Sequence, residues 1–263
     1  MKIENRYYYT VNCTHCGKEY LRQSTRKDKR YFCTHNCWRQ QLLKENDPKG
    51  YHILENIDTP NFCYLIGLIC TDGHINIRDG KKDNCGNTCR IQLAKSSLYL
   101  LENIQQFFGG YIIKKSQRTA QYPIWHIGNK MFNEYLINVV GLTQNKTLTL
   151  NIRNWFNLLT DINKNHFIRG VIDGDGSISI SNNSRGYNDY KVYITSASVD
   201  FLKMLQEYLS VGNIIDTKSK AKNLVICSKK AVDVLVKVYD ISVSNLHHVD
   251  KFNKFQILRK KYV

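Results

Sequence analysis

The pattern of hydrophobic and polar positions changes abruptly at two Asp-Gly pairs. The run "CYLIGLIC", which begins at Cys63, has helix-like apolar character, and after Asp72-Gly73 the chain alternates apolar and polar residues as a half-buried strand does. The stretch "FIRGVIDGDGSISISN", which begins at Phe167, repeats this arrangement with Asp175 in the place of Asp72. Two copies argue against coincidence, so the pattern predicts an internal repeat.

The rest of the chain supports the repeat. After a polar linker at Lys44–Gly50, Asp72 maps onto Asp175 at a shift of 103, and segments further on correspond at shifts of 101 and 99. Each half shows the pattern helix, strand, strand, helix, strand, strand, helix. We therefore predict an α+β fold of two pseudo-symmetric αββαββα repeats with antiparallel sheets. The predicted domains are 1–48, a small N-terminal zinc-binding module, and two repeats at 49–150 and 151–263.

The ends of the repeated helix carry specific signals. Thr59 is a suitable N-cap and Pro60 suits the first helical position, and the counterpart helix is expected to begin near Thr160 or Asp161. Gly73 and Gly176 are expected to adopt the left-handed conformation that often ends a helix.

Small residues recur four apart in both helices, at Gly67 and Thr71 and again at Gly170 and Gly174. Such rows allow two helix backbones to approach closely. We therefore expect the two repeated helices to pack against each other, so that the Asp-Gly pairs at their ends become neighbours.

The strands predict a polar sheet face on each repeat. Their apolar residues alternate with polar ones, so one face packs on the helices and the other stays open. Lysine plus arginine exceed aspartate plus glutamate by 38 to 22, a net charge of +16, which favours a polyanionic partner. A solvated sheet face is the alternative. We expect DNA contacts from His74, Asn76, Arg78, Arg90, Gln92, Lys191 and Tyr193, since such side chains read base edges.

The expected environment is intracellular. No apolar run reaches the length of a bilayer span, and the first residues lack the apolar core of a signal peptide. Nine cysteines without a secretory signal argue against a disulfide framework. We expect a soluble protein of a bacterial or phage-infected cytoplasm or an organelle, with nucleic acid and no membrane as partner.

Four N-terminal cysteines have zinc-ligand spacing. Two residues separate Cys13 from Cys16, three separate Cys33 from Cys37, and sixteen lie between the pairs. Two such turns can close four sulfurs into a tetrahedron around Zn²⁺, which would supply folding free energy to a region with little core. Free cysteines are the alternative, and His15 and His35 are possible substitutes for a thiolate.

The paired aspartates suggest a second, catalytic metal site. Two carboxylates at adjacent helix C-termini repel each other, and the negative helix dipoles add to the repulsion. Divalent cations would offset both, and Mg²⁺ bound by oxygen ligands can assist phosphodiester hydrolysis. The alternative is that Asp72 and Asp175 are hydrogen-bonded helix terminators at a structural interface.

The motifs "LIGLICTDG" (65–73) and "IRGVIDGDG" (168–176) resemble the paired motifs of the LAGLIDADG homing endonucleases, and "GLTQNKTLTL" (141–150) resembles the segment between their repeats. The resemblance implies a monomeric, metal-dependent, site-specific double-strand DNA endonuclease. It assigns the Mg²⁺ ions to Asp72 and Asp175. Cys70 departs from the family pattern, which Asp173 keeps, but it is not the metal-binding position.

The resemblance also implies basic residues around the metal site, often a lysine near the last strand of each repeat. The self-alignment offers Lys130 and Lys229 as catalytic residues. Some members of the family bind RNA and assist intron splicing, so intron RNA is an alternative partner. A non-cleaving DNA-binding regulator on the same fold is another alternative.

Overall fold

The computed structural model describes residues 2–3, 6–14, 16–23, 31, 33–34, 37, 50, 52–76, 87–114, 122–144, 146–182, 188–240 and 246–262. An N-terminal antiparallel sheet contains β1 (Lys2–Ile3), β2 (Arg6–Asn12) and β3 (Glu19–Gln23) in that order. The remaining elements form two repeats.

The first repeat follows a 3-10 turn at Ile53–Asn56. Its elements are α1 (Pro60–Asp72), β4 (Gly73–Asn76), β5 (Thr88–Gln92), α2 (Leu98–Phe108), β6 (Tyr111–Ile113), β7 (Ile124–Ile127) and α3 (Lys130–Tyr135), which continues as a π-helix at Leu136–Val140. Two short helices, α4 (Lys146–Thr149) and α5 (Arg153–Leu158), lead into the second repeat.

The second repeat has the same order of elements. They are α6 (Asp161–Asp175), β8 (Gly176–Asn182), β9 (Asn188–Ser196), α7 (Val199–Leu209), β10 (Asn213–Asp216), β11 (Lys222–Cys227) and α8 (Ser228–Tyr239), followed by α9 (Val249–Tyr262). The sheets have the equivalent strand orders β4-β5-β7-β6 and β8-β9-β11-β10, and neighbouring strands in both are antiparallel. The predicted αββαββα repeats are confirmed.

The helices α1 and α6 form the centre of the molecule. A methyl group on Gly67 would lie 2.1 Å from the carbonyl oxygen of Phe167, and one on Gly170 would lie 2.2 Å from the carbonyl oxygen of Tyr64. These two contacts are related by the repeat shift, so the helix pair is pseudo-two-fold. The predicted close packing through small residues is confirmed, because no larger side chain fits at either glycine.

The helix starts agree with the sequence, but the conformation at the helix ends does not. Thr59 and Thr160 each accept a hydrogen bond from a backbone N–H of the first turn. Gly73 and Gly176 have φ of −78° and −84°, so the left-handed prediction is wrong. Glycine is required there for space, since an added Cβ would lie 2.4 and 2.5 Å from the carbonyl oxygens four residues earlier. The chain passes directly from helix to extended strand.

The strand register also corrects the self-alignment. Gly73 lies opposite Ile91, and its counterpart Gly176 lies opposite Ile194, so the second strands correspond at a shift of 103. The shift of 101 holds for the helices that follow these strands, α2 and α7. The difference is absorbed by a 3-10 turn at Lys95–Ser97 in the first repeat.

Candidate functional site

The carboxylates of Asp72 and Asp175 lie at the C-terminal ends of α1 and α6. Because the two helices cross at Gly67 and Gly170, their last residues come together: a Cβ on Gly174 would lie 2.7 Å from Oδ2 of Asp72. Asp72 is half-buried and Asp175 is exposed. The structure therefore brings the two acids of the duplicated motif to one solvent-accessible point.

The electrostatics at this point disfavour two bare negative charges. Burial, and then the charge of Asp175, raises the pKa of Asp72 from its usual 3.8 to about 6. Although its side chain reaches solvent, Asp175 is partly desolvated by the neighbouring protein atoms, which raises its pKa, and the nearby Lys146 and Lys251 partly offset the effect. Carboxylates placed where their charge is destabilised have a stronger need for a cation than isolated surface carboxylates do.

Two lysines close the ends of the central helices. Nζ of Lys146 donates to the carbonyl oxygens of Cys70 and Thr71 at 2.8 and 3.0 Å. Nζ of Lys251 donates to three carbonyl oxygens at the end of α6, at 2.6 to 3.0 Å. Each amine thus satisfies backbone acceptors that a helix end leaves open and places a positive charge against the negative end of the dipole.

The same two lysines act across the pseudo-two-fold. Lys251 lowers the pKa of Asp72 more than Lys146 does, whereas Lys146 is the stronger influence on Asp175. Each lysine therefore caps the helix of its own repeat, and of the two lysines it has the stronger effect on the paired aspartate of the other repeat. Sequence reasoning missed this pair. Lys146 lies in the segment "GLTQNKTLTL" between the repeats, and Lys251 lies beyond the last segment that corresponds between the two repeats in sequence.

The lysines expected from the sequence lie elsewhere. Lys130 begins α3, its side chain is 81% exposed, and it pairs with Glu134 at 3.7 Å. Lys229 is exposed in the first turn of α8. Neither is among the charges that shift the pKa of Asp72 or Asp175. Their catalytic role stays a prediction.

Asp173 has a structural environment of its own. It is buried, and its carboxylate accepts from the hydroxyls of Tyr64 at 2.9 Å and of Tyr239, and from the backbone N–H of His248 at 2.8 Å. Tyr64 belongs to α1, so the network joins the two repeats. In the first repeat the equivalent position is Cys70, which is buried. The departure from the repeat pattern is thus a packing difference away from the paired acids.

The open sheet faces hold most of the predicted DNA-contacting residues. His74 and Gln92 are exposed, and Asn76, Arg90, Lys191 and Tyr193 are partly exposed, while the residues between them face the core. Arg78 lies outside the described residues. The register adds two residues that sequence reasoning missed, because His126 lies opposite Arg90 and Tyr111 lies opposite His126.

Comparison with protein families gives two matches in the repeats. Residues 65–148 match the model described as LAGLIDADG endonuclease, and residues 163–239 match the model described as LAGLIDADG-like domain. Together these segments span more than half of the chain. The chain belongs to the LAGLIDADG family.

Solved LAGLIDADG structures share the fold. I-SmaMI bound to uncleaved DNA in the presence of calcium ions matches with a TM-score of 0.52 and 16% identity, covering 77% of this chain and 92% of that chain. I-GzeII in complex with its DNA target matches with a TM-score of 0.52 and 14% identity, covering 77% and 89%. I-SmaMI bound to cleaved DNA gives a TM-score of 0.50 at 16% identity, covering 77% and 88%.

No curated protein gives a significant match. Among the helices of the described residues, none combines the length and apolarity needed to cross a membrane.

The four cysteines lie outside the segments that match the LAGLIDADG models, and they converge. Ligand atoms of Cys13, Cys16, Cys33 and Cys37 all lie within 4.8 Å of one another. Three of the Sγ–Sγ distances are 3.5, 3.6 and 3.7 Å. A tetrahedron with Zn–S bonds of about 2.3 Å has edges of about 3.8 Å, so the cluster has the dimensions of a zinc site.

The local backbone explains this convergence. Gly17, with φ of 74°, closes the turn after Cys13 and donates its N–H to the carbonyl oxygen of Cys13 at 2.9 Å. Thr14 N–H donates to the carbonyl oxygen of Tyr31 at 2.7 Å, which brings the second cysteine pair to the β2–β3 hairpin. The alternative ligands His15 and His35 lie outside the described residues.

Proposed function

We propose that this chain is a monomeric, site-specific double-strand DNA endonuclease that uses Mg²⁺. The observation that carries the proposal is the convergence of Asp72 and Asp175 at the ends of the paired helices, with their charges destabilised by burial. A net charge of +16 and two polar sheet faces supply the means to hold DNA beside this point.

The donor set fits a hard divalent cation. Asp72 and Asp175 would hold it, and carboxylate oxygens are the ligands that Mg²⁺ prefers. When bound, the metal would stabilise negative charge on the phosphate that reacts with water. The absence of a side chain at Gly174 lets the end of α1 pack closely against α6, since a Cβ there would lie 1.9 Å from Oγ1 of Thr71 and 2.7 Å from Oδ2 of Asp72.

Lys146 and Lys251 fix the helix ends that carry the two carboxylates and contribute positive charge. Each amine is fixed by at least two helix carbonyl oxygens, so its position is set before DNA binds. A preorganised charge beside a reacting phosphate costs no rearrangement at the moment of reaction. Lys130 and Lys229 would contact phosphate or position water at a greater distance from Asp72 and Asp175.

The relatives indicate how DNA would be bound. I-SmaMI and I-GzeII were both solved with DNA, and one I-SmaMI complex contains cleaved DNA. On this fold the two open sheets would contact the two halves of one target, while the paired acids lie between them. One chain carries both halves, which supports a monomer.

The test is a cleavage selection from a randomised duplex library, followed by assays on the selected site. The wild-type chain with Mg²⁺ should cut both strands. Asp72→Asn and Asp175→Asn should each abolish double-strand cleavage while keeping DNA affinity within a few-fold, because the substitutions remove charge without changing shape. Asp233→Asn, on the exposed face of α8, is the matched control.

The outcomes separate the candidate functions. Cleavage by both Asn variants would refute the assignment of the acids. Binding of DNA without cleavage by the wild type would favour a DNA-binding regulator, and selective binding of intron RNA would favour a splicing factor.

We also propose that the four cysteines bind one structural Zn²⁺. The hydrogen bond that the Cys33 thiol donates to Cys37, followed by burial, raises the pKa of Cys33 to about 12, so four thiolates need a cation to coexist. Mass spectrometry under native conditions should find one zinc per chain. Zinc-free protein purified without chelator would contradict this assignment.

A further inference from the structure

Each repeat has a buried serine at the start of its second helix. Ser97 precedes α2 and Ser198 precedes α7, and the two positions correspond at the shift of 101. Oγ of Ser97 lies 3.0 Å from Nε2 of His248, within hydrogen-bond distance. Oγ of Ser198 donates to the carbonyl oxygen of Leu150 at 2.7 Å. Equivalent serines that both bind a segment distant in sequence argue against a chance contact.

The two segments that these serines bind carry the lysines beside the paired aspartates. His248 lies three residues before Lys251, and Leu150 lies four residues after Lys146. The carbonyl oxygen of His248 accepts from the N–H of Phe252, so α9 begins there and Lys251 lies in its first turn. Each serine contact is therefore about one helical turn away from a lysine, and that lysine belongs to the other repeat.

Two further hydrogen bonds fix the start of α9. The backbone N–H of His248 donates to the carboxylate of Asp173 at 2.8 Å, and that of Val249 donates to the hydroxyl of Tyr99 at 2.6 Å. A helix start leaves such N–H groups open, so both bonds stabilise α9 where it begins. Tyr99 lies on α2, close to Ser97. Of these three contacts, two come from the first repeat.

Resting on the proposed function, we propose that the two serines are positioning residues for DNA cleavage. Ser97 holds the segment that carries Lys251. Ser198 holds the segment that carries Lys146. Because the two lysines bind the ends of different helices, loss of one serine contact displaces positive charge on one side of the aspartate pair. Each serine therefore affects the cleavage of one DNA strand more than that of the other.

The experiment is single-turnover cleavage of the selected duplex with Mg²⁺, with each strand labelled separately. Ser97→Ala should slow one strand about 3- to 10-fold more than the other, the loss expected for one buried hydrogen bond. Ser198→Ala should move the ratio of the two strand rates in the opposite direction. Tyr99→Phe keeps the ring and should act as Ser97→Ala does. The control is Tyr208→Phe, which loses a hydroxyl contact within the second repeat, 2.9 Å from Oδ1 of Asn165, and should leave the ratio unchanged.

A double-mutant cycle tests whether the serine acts through the lysine. In a Lys251→Met background, Ser97→Ala should change either strand rate by less than about 2-fold, because the group that it positions is gone. Additive effects would show that Ser97 only supports the fold, and they would overturn the inference. A strand ratio that stays constant, or moves the same way in Ser97→Ala and Ser198→Ala, would also overturn it and leave the endonuclease intact. A wild-type chain that cuts neither strand would overturn the proposed function itself.

Discussion

Asp72 should make the metal-free protein less stable at neutral pH, and Asp72→Asn should relieve this cost. The carboxyl has a pKa of about 6 in the fold against 3.8 ordinarily, chiefly because of burial and then the charge of Asp175. The unfolded chain therefore ionises first as the pH rises. The free energy of unfolding is unaffected below about pH 4 and decreases between about pH 4 and 6. Above pH 6 it stays lower by the full amount.

The magnitude follows from the difference in pKa. A difference of about 2 corresponds to about 3 kcal/mol, since one pKa unit is about 1.4 kcal/mol. Asp72 is half-buried, so screening by solvent reduces the gain expected from Asn to about 1–3 kcal/mol. For a chain of this size, each kcal/mol moves Tm by about 2–4 °C.

The assay is urea and thermal unfolding in magnesium-free buffer at pH 4, 5, 6 and 7.5, without a chelator so that zinc is retained. The advantage of Asp72→Asn should be absent at pH 4 and reach a plateau above pH 6. Addition of Mg²⁺ should stabilise the wild type and leave the variant unchanged. An advantage independent of pH, or a variant less stable at pH 7.5, would refute the reasoning, and Asp233→Asn shows the effect of removing an ordinary surface charge.

Four further predictions follow from the geometry. Gly67→Ala should destabilise the fold by about 3 kcal/mol or more in urea unfolding, because its methyl group would lie 2.1 Å from a carbonyl oxygen. The control is Gly128→Ala, whose methyl group meets nothing within 4 Å and should leave stability unchanged. Lys251→Met should lower the free energy of unfolding by about 1–3 kcal/mol and slow DNA cleavage in a single-turnover assay. The control is Lys254→Met, which loses one carbonyl contact at 3.0 Å and should keep the cleavage rate. Removal of zinc should make the N-terminal module sensitive to protease while the circular dichroism of the repeats persists. If about eight phosphates are neutralised, the log-log salt dependence of DNA binding should have a slope of about −7.

Much of the fold could be predicted because local patterns and tertiary structure agree. The apolar period identified the helices and strands, and Thr59 and Thr160 cap the helices as expected from their hydroxyls. The small residues at spacing four, Gly67 with Thr71 and Gly170 with Gly174, correctly indicated the close crossing of the central helices. These features depend on neighbours in sequence or on sterics that a single residue type reveals.

The features that escaped prediction depend on contacts distant in sequence. Lys251 caps α6 from 77 to 79 residues away, and nothing in its sequence neighbourhood distinguishes it from other lysines. The role of Gly73 depends on the atoms of Ile69 that it packs against, not on its own φ. The second strands and the helices that follow them correspond at different shifts because of the 3-10 turn at Lys95–Ser97. The weak sequence similarity between the repeats did not reveal this turn.

The bond between Tyr64 and Asp173 determines which halves can pair. The helix crossing is nearly symmetric, so its sterics alone would accept two copies of either half. In two copies of the first repeat, however, Tyr64 would face Cys70. In two copies of the second repeat, Asp173 would face Phe167 and be buried without the Tyr64 hydroxyl as a donor. Only the unlike pair gives Tyr64 its acceptor and adds a third donor to the two that Asp173 receives from Tyr239 and His248. If the two halves were made as separate chains, they would therefore select each other over themselves.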